Sequence, residues 1–136
     1  MILKRTTLKT KLIAWFSVVA WMGLIFAFSN QAHSGEITGH YLGSFNVLVR
    51  KCGHMSEYAM LFFLLRRALL CTVDGTTYFF AAPFVLCVLY AISDEFHQSF
   101  VAGRSSSASD VLIDSLGALI GFGLIKLWLR LHKRPA

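Results

Sequence analysis

The sequence predicts an all-α fold, an integral membrane four-helix bundle with both termini in the cytoplasm. Three observations predict it. First, 56% of the 136 residues are hydrophobic and only 15% are charged; a domain of this length cannot hide that much apolar surface inside itself, so lipid must cover the rest. Second, the apolar residues fall in four runs, at about residues 11–29, 52–70, 78–98 and 109–130, each near the roughly 20 residues a helix needs to cross a bilayer core. Third, the thirteen lysines and arginines are shared unequally between the two sides. Ten stand before the first run, at Arg66-Arg67 or from Lys126 onward, against only Arg50, Lys51 and Arg104 on the other side. Positive residues mark the cytoplasmic side. All four runs fit one domain, residues 1–136.

The first run is charge-free from Leu12 to Phe28 and carries Trp15 and Trp21. That core is longer than the apolar region of a secretory signal, and Phe28-Ser29-Asn30-Gln31 offers no small-residue cleavage site, so a retained helix is expected. The glycine-bearing stretch at residues 29–44 reads as an aqueous loop with room for one short interfacial turn. In the second run, Met55 and Ala59 to Leu65 suit lipid, while His54, Ser56, Glu57 and Tyr58 crowd the first turns and belong against other helices. Arg66 and Arg67 close it, where long cationic side chains reach the interface. After a turn on Asp74-Gly75, the third run tolerates Pro83 as a bend near its start and continues through Gln98. The fourth opens with Asp110 and Asp114 and closes with Lys126, Arg130, Lys133 and Arg134.

Composition also narrows the partners. The formal charge of +6 comes from basic residues at the ends of apolar runs, not from a basic face, so no nucleic acid is expected and anionic lipid is the better match. The three cysteines, Cys52, Cys71 and Cys87, have no paired spacing and read as buried free thiols. No cofactor is expected.

The topology gathers chemistry at one end. His54, Glu57, Asp94, Glu95, His97, Arg104, Asp110 and Asp114 all fall at the outer ends of their helices, and they include five of the seven carboxylates. Charges at membrane depth are costly and line cavities or pair with one another, so this end is the candidate site. Lys51, His54, Glu57 and Tyr58 share a helix face by their spacing. They form either an acid/base set with a lysine to hold an anion, or a satisfied network that pins helices together. Asp94 stands three before His97 and four before Gln98, so it can orient the imidazole, and of the adjacent Asp94 and Glu95 one is expected to face the site. His54, Glu57, Asp94 and His97 also have the chemistry of metal ligands, but H-x-x-E and D-x-x-H match no zinc-protease pattern and no metal is assigned. In Gly103-Arg104-Ser105-Ser106-Ser107, the guanidinium precedes a helix start and suits a phosphate or carboxylate, unless Asp110 and Asp114 neutralise it. Ser107 and Asp110 have capping-box spacing. Gly117 and Gly121 continue the aspartate stripe as a close-packing face.

These residues resemble the VanZ-like membrane proteins, a family named for the teicoplanin-resistance protein VanZ. The likeness rests on Phe28-Ser29-Asn30-Gln31, on Arg50-Lys51-Cys52-Gly53-His54-Met55-Ser56-Glu57-Tyr58, and on Ser93-Asp94-Glu95-Phe96-His97-Gln98-Ser99-Phe100 followed by Gly103-Arg104 and Asp110. Ala102 stands where the family pattern often has proline. The resemblance implies a polytopic protein of the bacterial inner membrane and, in members linked to antibiotic resistance, reduced susceptibility to teicoplanin-type glycopeptides. It implies no particular reaction. The expected function is an outward-facing polar pocket that binds or modifies an anionic amphiphilic component of the cell envelope, a membrane lipid or a lipid-linked molecule. Lys51 and Arg104 hold the anion; His54, Glu57, Asp94 and His97 handle protons; Tyr58, Glu95, Gln98, Asp110 and Asp114 complete the lining. Alternatives are a proton-coupled small carrier acting as a dimer, the homo-oligomer this reading needs, and a non-catalytic membrane scaffold.

Overall fold

The computed structural model describes residues 6–32, 34–73, 80–103 and 107–132. Among them there is no strand. Four long helices, α1 (Leu8–Ser29), α3 (Asn46–Thr72), α4 (Ala81–Gln98) and α5 (Ala108–Leu131), are joined by a short helix α2 (Ser34–Leu42) and a 3₁₀ turn at Gly43–Phe45. The expected aqueous loop after α1 is thus mostly helical.

Helix α3 is the hub and packs against α1, α4 and α5. It begins six residues before the expected residue 52. Arg50 and Lys51 depress the local hydropathy but do not oppose helix formation, so the helix continues outward past the apolar segment through Val47, Leu48 and Val49, all exposed. The chain reverses into it at Gly43, whose φ of +51° is the left-handed conformation that glycine adopts without a Cβ penalty. Pro83 needs no bend. It occupies the first turn of α4, where its missing N–H would have had no helical partner.

Small residues decide the closest packing. A Cβ built on Gly117 would sit 2.3 Å from the Met55 carbonyl oxygen, and one on Gly121 would sit 2.8 Å from that of Ala59. The glycine face of α5 therefore lies directly on the α3 backbone. Trp21 and Tyr90 fasten α1: the Trp21 indole N–H donates to the Glu57 carbonyl at 2.9 Å, and the Tyr90 hydroxyl donates to the Met22 carbonyl at 2.7 Å. Around these contacts, Val18, Ile25, Leu61, Phe62, Cys87 and Ala118 form the apolar core. Of the three thiols only Cys87 is buried; Cys52 is exposed and Cys71 half-buried.

The opposite faces are apolar too. Phe16, Val19, Leu89 and Leu112 are all more than half exposed. Helices α1 and α5 are long and apolar enough to cross a membrane. The polar turns of α3 and α4 keep those two helices below that mark, and those turns build the site.

Candidate functional site

The polar ends of α3, α4 and α5 meet beside the C-terminus of α1. Helix α3 starts early enough to place Arg50, His54 and Glu57 on successive turns of one face. The His54 Nδ1 lies 3.5 Å from Asp114 Oδ1 across the α3–α5 contact and 3.9 Å from Glu57 Oε2 on its own helix. Asp114 is fully buried, and its carboxyl group accepts no hydrogen bond from the described residues. The imidazole is the basic group that faces it across the helix contact. Both are held there because Gly117 and Gly121 draw the two helices together just below.

Two small cavities open on His54, while Asp114, expected in the lining, is buried behind the imidazole and lines neither. One of about 190 Å³ is lined by Ser29, Gln31, Thr38, Arg50, His54 and Glu57, among others. The other, of about 150 Å³, is lined by Val47, Arg50, Lys51, His54, Gln98 and Asp110. Arg50 and His54 face both cavities. Spacing alone pointed to Lys51, His54, Glu57, Gln98 and Asp110, and the fold brings each of them to one cavity or the other. Arg50, Ser29, Gln31 and Thr38 escaped the sequence reading. For Arg50 a signal existed: it stands four residues before His54 and seven before Glu57.

Other candidates have different neighbours. The expected Asp94–His97 pair is not what forms. Asp94 Oδ2 accepts a 2.8 Å hydrogen bond from Gln98 Nε2. The His97 ring instead packs on Phe26, centroids 4.5 Å apart, with Nε2 at 3.3 Å from Asn30 Oδ1. The physical reason is the 100° step of a helix: α1 flanks α4 on the side where position 97 projects, while 94 and 98 turn inward. Asp94 and Glu95 are both buried, Asp94 beside Gln98 and Glu95 turned to the neighbouring helix α5 and not to outer water. Glu95 Oε2 accepts from the backbone N–H of Ser107 at 3.0 Å, one residue before α5 begins. A carboxylate there satisfies an orphan donor and complements the helix dipole. Ser107 caps the same helix through Ser109 N, not through the Asp110 N–H, which bonds to the Ser107 backbone carbonyl. Glu95→Ala is therefore expected to cost about 1 kcal/mol, as lost caps do, and to speed amide exchange in the first turn of α5. Unchanged exchange at Ser107 to Asp110 would remove Glu95 from that role.

Tyr58 is buried in the core with its ring 6.2 Å from that of Tyr90, and its hydroxyl has no hydrogen-bond partner among the described residues. Arg104 lies outside the described residues. With His97 turned to α1, the four-residue metal set is broken up, and among the described residues no three His, Cys, Asp or Glu side chains are placed to hold a metal ion.

The model of the VanZ/LLP1 family matches residues 14–129, nearly the whole of this helical body. The chain belongs to the VanZ/LLP1 family. The VanZ/LLP1 match takes in every site residue described above, from the end of α1 to Asp114, and together with the two apolar helices it marks a membrane protein. No curated protein and no solved structure matches this VanZ/LLP1 chain.

Proposed function

We propose that this VanZ-family protein crosses the bacterial inner membrane four times, with both termini cytoplasmic, and holds an anionic amphiphile of the cell envelope at its outer face. The observation that carries this reading is that one arginine and one histidine serve both polar cavities, with the histidine backed by a fully buried carboxylate. Arg50 supplies a planar fork suited to a phosphate or carboxylate, and Lys51 a mobile second charge. His54 exchanges a proton with the bound group, and Asp114 holds the imidazole in place and stabilises its charged form. Asp94 fixes the Gln98 amide, whose carbonyl and remaining N–H are then set toward the second cavity. Arg104, next to the start of α5 in sequence, is a third cation on the side that the charge pattern makes the outer one. The unequal sharing of lysine and arginine supports the outward orientation.

The cavities are too small for a whole lipid, so they receive a head group while the tails stay in the bilayer. The family's link to teicoplanin-type glycopeptides comes to this chain on the same basis, as a phenotype of handling an envelope component.

The test is lipid retention. Protein extracted in native-lipid particles is expected to carry an anionic lipid identified by mass spectrometry, and Arg50→Ala is expected to reduce its retention at least tenfold. His97→Ala, which touches α1 instead of either cavity, is expected to change it less than twofold. Equal loss from both variants, or none from Arg50→Ala, would sink the reading.

A further inference from the structure

A second feature lies on the lipid-facing side of the α3–α5 contact, away from the polar cavities. A groove of about 640 Å³ is lined by Cys52, Met55, Ala59, Met60, Phe63, Gly121 and their neighbours on both helices. A second hollow of about 700 Å³ continues it past Phe63, Leu124 and Ile125, which line both, and ends among Arg66, Trp128 and Leu131. From Cys52 to Arg66 is about 21 Å along a helix at roughly 1.5 Å per residue. That exceeds the roughly 15 Å depth of one leaflet's hydrocarbon. The groove is apolar throughout and charged only at its end.

Arg66 is the unusual residue there. Its guanidinium stacks over the Phe80 ring, 4.9 Å from the centroid. Its Nε is buried and has no hydrogen-bond acceptor among the described residues. Trp128, more than half exposed and stacked on His132, stands beside the same end. An exposed tryptophan marks the height of the membrane interface. A cation short of an acceptor, at interface height and at the mouth of an apolar channel, is complementary to a lipid phosphate.

We infer that the α3–α5 groove holds one acyl chain of an anionic diacyl phospholipid whose phosphate rests on Arg66. The chain runs from the Arg66 end toward Cys52, with Ala59 and Gly121 as the floor and Met60, Phe63 and Leu124 as the walls. Its phosphate end, at Arg66, is at the opposite end of α3 from the polar cavities, and the groove shares no lining residue with them. The lipid belongs to the leaflet on the side rich in lysine and arginine, where anionic head groups are attracted.

The experiment uses the full chain in lipid particles with tail-labelled diazirine probes of phosphatidylglycerol and phosphatidylcholine. Cross-links are mapped by peptide mass spectrometry. Labelling at Met60, Phe63 and Leu124 by the phosphatidylglycerol probe is expected to exceed that by the phosphatidylcholine probe at least fivefold. Arg66→Gln should erase the excess, and Arg66→Lys should restore part of it. Met60→Trp, which leaves Arg66 in place, should block labelling at Leu124 by filling the groove. Equal labelling by the two probes, an excess that survives Arg66→Gln, or unchanged labelling in Met60→Trp would each overturn the proposal. Because Arg50, Lys51 and His54 report the polar cavities and residues 60–66 the Arg66 end of the groove, each site succeeds or fails on its own residues.

Discussion

Gly117→Ala is expected to be the most damaging single methyl group that can be added to this protein. Its Cβ would stand 2.3 Å from the Met55 carbonyl oxygen and 2.8 Å from the Met55 Cα. Neither is the end of a flexible side chain. Relief requires α5 to move off α3, which also pulls Asp114 away from His54. Overpacked sites lose about 1–3 kcal/mol, and a clash with rigid backbone belongs at the top of that range. Gly121→Ala, 2.8 Å from the Ala59 carbonyl oxygen, should lose less. Gly123→Ala meets nothing within 4 Å, and there alanine's better helix propensity, about 0.8–1.0 kcal/mol, should raise stability slightly. Unfolding in mild detergent, followed by circular dichroism, tests the ranking. Gly117→Ala as stable as Gly123→Ala would show that the two helices do not touch in this register.

The second large effect is on the site and leaves the fold standing. Asp114→Asn keeps the shape of the side chain but replaces a carboxyl group that is fully buried and accepts no hydrogen bond from the described residues. Breaking a buried charged pair by removing one partner is normally destabilising, whereas removing a poorly satisfied charge relieves a desolvation cost. With His54 at 3.5 Å and about one-fifth exposed at 21%, the imidazole keeps a path to water through the cavities after the change, so the stability of Asp114→Asn should match or exceed that of the unaltered protein. Function should not survive so well. Asp114→Asn and His54→Ala are each expected to lower lipid retention at least tenfold, and the double variant no further than the worse single one, because groups that act as a unit are not additive. Independent, additive losses would mean that the pair is not a unit. Intact retention with either variant would reduce it to packing.

These two results bear on different layers of the molecule. The glycine register holds α3 against α5, and the histidine–aspartate pair is what that register brings within reach. A lipid lying in the groove beyond Ala59 and Gly121 would sense the same helix contact from its other side.

Much of this was legible from the residues in order. Apolar runs located the long helices because a chain this hydrophobic must place its polar groups at the ends of those runs. The spacing of Asp110, Asp114, Gly117 and Gly121 marked the α5 face that meets α3, since residues three and four apart share a side. That His54 shares a side with Glu57, and Asp114 with Gly117, was legible for the same reason. What order along the chain left undecided was which neighbour each polar group would meet. Asp94 takes Gln98 and not His97, Glu95 caps α5, and Arg50 enters both cavities only because α3 starts at Asn46. Periodicity reports the direction of a side chain around its own axis, but a partner on another helix is set by the rotation and depth at which two backbones meet. Here glycines facing Met55 and Ala59 set that depth, and only the packed helices display it.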